Sequence, residues 1–241
     1  MLNKHRGELY LVIGAIFFSL NGVIVTLVLD HMTTFRLAQI RAIGTFFLLF
    51  AFTFIQDRNS LKAQRREIPT LVFYGIFGYA MVQLGYFIGI AQGVPLSLVL
   101  IIEFTAPIWI VLWMRFIQKK IVSKLMWWGL VIGLTGLVLI AQVWRGLTLD
   151  GLGVIFALLD AFALALYFLV GEKLVGVKSS EATMAWGFGV SSAFFAIIQP
   201  WWTFPFAELG RVVELTGRLA GVSIPTYYLI LWIIVLGTAV P

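Results

Sequence analysis

Cysteine is absent from this chain, so disulfides, thiolate metal sites and cysteine nucleophiles are excluded together. Histidine is almost absent. His5 and His31 lie near opposite ends of the first apolar run, where single imidazoles are ordinarily solvated. No phosphate-binding loop exists, because Gly151-Leu-Gly153 lacks the strand and helix context of a nucleotide site. A membrane-embedded enzyme would need an interior histidine, a thiol or a metal cluster. The residues therefore point away from catalysis, and no cofactor or metal is expected. Charge is scarce as well: 12% of residues are charged, half of the roughly 25% usual in soluble domains.

What the chain does have is apolar surface. Of its 241 residues 61% are hydrophobic and the mean hydropathy is +1.00, more than any soluble core needs. An all-α, polytopic transmembrane bundle is the class that fits, with membrane lipid as its solvent. A closed β-barrel would show short alternating segments, and there are none. A helix needs about 20 apolar residues to cross a bilayer. That rule marks eight spans, approximately at Glu8–Leu29, Thr34–Ile55, Pro69–Gln92, Pro95–Ile117, Leu125–Val143, Leu152–Gly171, Ala182–Trp202 and Pro225–Pro241. The first run is too long for a signal peptide and has no small-residue cleavage pattern, so it reads as a retained span.

The formal charge of +6 does not imply a nucleic-acid partner, because the basic residues occupy short loops between apolar runs. There they set topology. One side carries Lys4, Arg6, Arg58, Lys62, Arg65, Arg66, Arg115, Lys119, Lys120, Lys124, Lys173 and Lys178. The other carries only Arg36, Arg145, Arg211 and Arg218. This imbalance places the N-terminus in the cytoplasm.

Small residues mark where helices should touch. Gly85, Gly89 and Gly93 form one stripe, Gly129 and Gly133 another, and Gly153, Ala157, Ala161 and Ala165 a third. Such stripes let membrane helices approach closely. Trp127, Trp128, Trp144, Trp201 and Trp202 fall at span ends, as interfacial anchors do. Between the last two spans, Phe204 to Ile224 is too polar to cross. Phe206, Leu209, Val213 and Leu219 roughly follow helical spacing, with Glu214 and Arg218 four apart, so a short surface amphipathic helix is expected. An ordinary long loop is the alternative. The final run ends at Pro241 without a polar flank, which predicts a C-terminally truncated chain.

Against this apolar background, the stretch from Pro95 to Trp113 is anomalous. Glu103 and Pro107 lie in its middle. A charge in hydrocarbon costs about 2.5–3.5 kcal/mol even on insertion scales, so it faces a protein interior or a wet cavity. Proline cannot donate to the carbonyl four residues back, which here belongs to Glu103 itself. The stretch predicts a helix break beside a carboxylate, and hence a polar niche inside the membrane.

The chain also repeats itself. Five spans fill residues 1–143, and the pattern restarts over 151–241, with Phe17-Phe-Ser-Leu-Asn21 aligning on Ala161-Phe-Ala-Leu-Ala165. Tyr74-Gly-Ile-Phe-Gly78 corresponds loosely to Ile233-Ile-Val-Leu-Gly237. An odd number of spans inverts the second copy, the architecture of many secondary transporters. At this point the chain resembles the EamA-like, ten-helix branch of the drug/metabolite transporter superfamily. The resemblance rests on Phe17-Phe-Ser-Leu-Asn-Gly22, Arg41-Ala-Ile-Gly44, Glu103-Phe-Thr-Ala-Pro-Ile-Trp109, the basic tail after that stretch, and the glycine stripe of the fifth span. It covers essentially the whole chain and is diffuse. It implies a 5+5 inverted repeat, residues 1–143 as the first five-helix repeat and 151–241 as a shortened second one. It further implies a bacterial-type inner membrane and movement of small metabolites such as amino acids, often outward.

Depth can be read without the family. At 1.5 Å per residue, Arg41, Glu103 and Asp160 lie about 10–12 Å below their outer ends, and Asn21 and Gln83 about 12–14 Å. Five polar side chains on five spans thus share one layer, and Tyr79, Tyr86 and Tyr167 are placed to line it. Each also has a structural explanation. Arg41 can simply pair with Glu103 or Asp160, Asp160 can join helices, and Asn21 and Gln83 can act as interhelical glue. Glu103 is the strongest functional candidate. The expected function is alternating-access transport of a small-molecule substrate without ATP. Glu103 is a candidate proton carrier, a role that an Arg41 partnership would oppose, so coupled and uncoupled transport are both retained. A metabolite importer, and a scaffold or lipid-handling subunit, are the alternatives.

Overall fold

The computed structural model describes residues 6–141, 151–215 and 221–239. Eight helices organise them: α1 Arg6–Leu29, α2 Thr34–Gln56, α3 Ile68–Ala91, α4 Leu96–Ile117, α5 Lys124–Ala141, α6 Gly151–Val175, α7 Ser180–Ile198 and α8 Thr226–Ala239. Among the described residues six of these, α1 to α4, α6 and α7, are long and apolar enough to cross a membrane. The 18-residue α5 fills the fifth predicted segment, and α8 is a shorter apolar helix. The fold is the all-α, polytopic bundle that composition demands. Helices satisfy their own backbone groups, which is why hydrocarbon tolerates them.

Two spans are irregular. In α3 the backbone widens to a π-helix over Tyr74–Ala80, between α-helical Ile68–Phe73 and Met81–Ala91. Such π segments are often placed at functional sites. In α4 the α-helix stops at Glu103 and resumes at Ala106. Pro107 lies in the first turn of the resumed helix, where a missing N–H leaves nothing unpaired. At the break, the backbone N–H and the hydroxyl of Thr105 both donate to the Ile102 carbonyl, at 2.9 and 2.6 Å.

The core is built by two long pairings that join the early and late parts of the chain. α2 runs along α7, and α3 runs along α6, with the π segment of α3 wedged between α6 and α7. The small-residue stripes explain the second pairing. A Cβ at Gly85 would come 2.6 Å from the Cβ of Asp160, and one at Gly153 would come 2.5 Å from a Val94 methyl carbon. Ala157 and Ala161 are fully buried in the same seam. Gly93 serves a different purpose: it has φ +81° with open space around it, so it turns the chain out of α3. The α5 stripe does not behave as its spacing predicts. Nothing among the described residues lies within 4 Å of a Cβ at Gly129, Gly133 or Gly136, and Leu125, Ile132 and Leu139 are exposed. Spacing reports which residues share a helix face, and here that face has no described neighbour.

The segment between α7 and α8 is not the expected amphipathic helix. After a 3₁₀ turn at Trp201–Thr203, only Phe206–Leu209 is helical. Strands β1 Val212–Glu214 and β2 Ser223–Pro225 then pair antiparallel, with Val213 opposite Ile224. Gly210 ends the helix, and β-branched Val212 and Val213 prefer the extended ladder. Thr226 at the start of α8 donates both its N–H and its hydroxyl to the Arg211 carbonyl, at 2.8 and 2.9 Å. Glu214 is described on the first strand, whereas Arg218, Leu219 and the predicted anchor Trp144 lie outside the described residues.

Candidate functional site: a polar chamber inside the bundle

Seven of the eight residues singled out from the sequence, Tyr167 of α6 among them, line one cavity of about 280 Å³. Asn21 comes from α1, Arg41 from α2, Tyr79, Gln83 and Tyr86 from α3, and Glu103 from α4. The two ends of the cavity differ chemically. Asn21, Arg41, Gln83, Tyr86, Glu103 and Thr238 make a polar end, whereas Tyr79, Tyr167, Phe188, Leu164 and Met184 make an aromatic and apolar one.

The eighth, Asp160, is not on the cavity wall. It is fully buried on α6, behind α3, with its Cβ against Gly85. Depth along the helix placed it at the right level. Helix rotation points it toward the seam.

Arg41 does not make the direct ion pair that its neighbours suggest. No such pair with Glu103 or Asp160 is found among the described residues. Its Nε donates instead to the Thr238 hydroxyl at 2.9 Å, and its guanidinium carbon lies 5.7 Å from the centre of the Phe87 ring. Thr238 in turn donates to the Ile233 carbonyl at 2.7 Å. Thr238 lies in the π segment Val235–Ala239 of α8.

The remaining polar groups are conspicuous for what they lack. Oε2 of Glu103, both carboxylate oxygens of Asp160, Oδ1 of Asn21 and Oε1 of Gln83 are buried without a hydrogen-bond partner among the described residues. These are acceptors; the Tyr79 hydroxyl, which can donate or accept, is likewise buried without a hydrogen-bond partner among the described residues. Gln83 Nε2 makes only a 3.4 Å contact with the Tyr79 carbonyl on its own helix. Buried polar atoms are normally satisfied, and each exception requires a reason. Asn21 is crowded further by α8, since a Cβ at Gly237 would collide with its side chain.

The aromatic end is a packed cluster. Tyr74 and Tyr167 stack with ring centres 5.5 Å apart, and Tyr79 meets both edge-on at 5.1 Å. Phe188 lies 4.3 Å from the Tyr79 ring. The π turn of α3 places Tyr74 and Tyr79 on one side, and glycine at 187 leaves α7 room for the Tyr79 ring.

Sequence reasoning missed several residues. Thr238, Phe188 and Met184 carried no signal beyond lying in apolar runs. Arg36 and Lys178 were counted only for topology, yet both are buried and fully engaged. Arg36 donates to Gln39 Oε1 at 2.8 Å and to the Pro200 and Thr203 carbonyls at 3.3 and 2.9 Å. Gln39 donates to the Gln199 carbonyl. The three-residue spacing of Arg36 and Gln39 on α2 was the only available clue.

The fold and its chamber define a multi-pass helical membrane protein with a charged cavity among its helices. Comparison of sequences narrows this. The family model described as the EamA-like transporter family matches residues 5–142, and the chain belongs to that family. The comparison with curated proteins returned no match.

Proposed function

We propose that the protein is a secondary-active transporter that exports small metabolites of the amino-acid kind by alternating access. The observation that carries this reading is the donor–acceptor imbalance of the chamber. Its polar end offers a guanidinium on one side and a set of unsatisfied acceptors, led by Glu103, on the other. An occupant that fits must bring N–H donors for the acceptors and an anionic group for Arg41. A zwitterion supplies both. A charged donor to a carboxylate makes the stronger kind of hydrogen bond, at a place where water is scarce.

On this reading residues 1–143 and 151–241 are two inverted repeats, and the seams α2–α7 and α3–α6 are where they meet. The charge asymmetry supports a cytoplasmic N-terminus, and the family resemblance suggests a bacterial-type inner membrane. Glu103 is the substrate or proton group, Arg41 the anion-binding group, and Asn21, Gln83, Tyr79 and Tyr86 complete the wall. Asp160 contributes its charge from behind it.

The test is flux. The full-length protein is reconstituted in vesicles loaded with a radiolabelled mixture of the protein amino acids, with and without an imposed pH gradient. Efflux above protein-free vesicles is expected, and Glu103→Gln should abolish it while inserting normally. Flux at the wild-type rate in Glu103→Gln would sink the assignment. Absence of flux for every compound tried would favour the scaffold or lipid-handling alternative.

A further inference from the structure

At the opposite end of the bundle from the Arg36 contacts, the α2–α3 loop and the α6–α7 loop are fastened together. Lys178 is the centre of the fastening. Its side chain is 4% exposed, and its ammonium meets Glu67 Oε2 at 2.9 Å, the Ser60 carbonyl at 3.5 Å and the Lys62 carbonyl. An ammonium has three donors, and here each has its own acceptor. Alongside, the Ser179 N–H donates to Ser60 Oγ at 2.9 Å, and the Ser60 hydroxyl donates to Ser179 Oγ at 3.1 Å. Trp186 Nε1 donates to the Leu61 carbonyl at 3.0 Å. All these bonds join residues more than a hundred positions apart, so they tie the first part of the chain to the second.

The fastening is also connected to the chamber. Ser179 caps α7, accepting from the Ala182 N–H at 3.2 Å. The next two turns of α7 carry Met184 and Phe188, which wall the aromatic end of the cavity. Whatever moves Ser179 moves that wall. The bonds are of a kind that water replaces readily: one ion pair, carbonyl acceptors and two hydroxyls, held by loops rather than by a packed helix seam. Glu67 also accepts from the Gln64 N–H at 3.0 Å, so its carboxylate is oriented before Lys178 arrives.

We propose that this clasp, Lys178 held by Glu67 and the Ser60 and Lys62 carbonyls, is the bolt of a gate. The cavity opens to the loop side only when the bolt withdraws. This rests on the transporter reading above, and it assigns to Lys178, Glu67, Ser60 and Ser179 a role in access that is separate from substrate contact.

The absence of cysteine from these 241 residues simplifies the test. In the full-length protein, Ser60→Cys with Ser179→Cys places one cysteine pair where two hydroxyl oxygens are now 3.1 Å apart. Oxidation should form that disulfide, and amino-acid flux should fall about tenfold or more, returning on reduction with dithiothreitol. Equal flux in the oxidised and reduced forms overturns the gate. A second measurement needs no substrate. Met184→Cys is labelled with a membrane-impermeant maleimide in inside-out vesicles, with and without Lys178→Met. The labelling rate should rise about tenfold when the bolt is removed. An unchanged rate in protein that still inserts overturns the gate. A raised rate together with no flux from any form would retain the gate and reject the amino-acid substrate, so the two failures are distinguishable.

Discussion

Arg41 Nε lies 2.9 Å from the Thr238 hydroxyl, which joins α2 to the π segment of α8 across the polar end of the chamber. The contact decides how the chamber's one guanidinium is aimed. Thr238→Val keeps the shape and deletes the acceptor. Leaving a buried donor unpaired costs about 1–3 kcal/mol. The expected outcome is a lowered unfolding midpoint in detergent, with transport reduced more than binding of an uncharged competitor. Full activity and an unchanged midpoint would show that Arg41 is held by other means.

The two membrane carboxylates should behave differently. Glu103 lines the cavity and Asp160 does not. Glu103→Gln is expected to remove flux with little change in stability. Asp160→Asn replaces a buried group with no hydrogen-bond partner among the described residues, so thermal stability should hold or rise. Side-by-side unfolding curves and flux measurements check both. Equal loss of flux without any gain in stability at Asp160 would place it on the substrate path after all.

Glycines in the two stripes should also diverge. Gly85→Ala sets a methyl group 2.8 Å from the Phe156 carbonyl oxygen, which is backbone and cannot swing away. Overpacking of this kind costs about 1–3 kcal/mol. Gly129→Ala meets nothing within 4 Å and should be neutral or slightly stabilising, because alanine favours helix. Thermal unfolding of the two variants in one detergent is the measurement. Equal destabilisation would mean that a partner covers the α5 face.

The clasp has its own pH signature. The Lys178 ammonium, and then the Gln64 N–H, hold the Glu67 carboxyl below the usual glutamate range. A carboxyl lowered in the folded state stabilises the fold above its unfolded pKa of about 4.3, and that contribution disappears as pH falls through the folded value. Lys62, Glu67 and Lys178 are the charged groups that line this loop pocket. The wild-type unfolding midpoint should therefore drop as pH falls below about 4.3, and Glu67→Gln should flatten that drop while lowering the midpoint at neutral pH. Parallel curves for the two proteins would remove Glu67 from the clasp.

Much of this architecture could be read before the structure. Span positions followed from apolar run length, since each helix must satisfy its backbone alone in hydrocarbon. Glycine and alanine at four-residue spacing marked the faces of α3 and α6 where close approach is possible, but not that these two helices would pair. The level of the polar layer followed from rise per residue. Orientation around the helix axis was less legible, and Asp160 shows why: a helix within a polar layer can turn a side chain toward the cavity or toward a neighbour. The β-hairpin was missed because Val213, which fits the helical spacing, is β-branched and suits a strand equally well.

Composition and spacing therefore determine that the chain is a multi-pass helical bundle, and they name most of the residues that meet at its centre. Those properties depend on local rules: apolar run length, helical rise and side-chain size. Tertiary structure alone decides that Arg41 is held by Thr238, that Asp160 is turned away, and that Lys178 fastens one half of the chain to the other. Each of these contacts joins residues more than a hundred positions apart, or depends on how a helix is rotated. No local pattern encodes either.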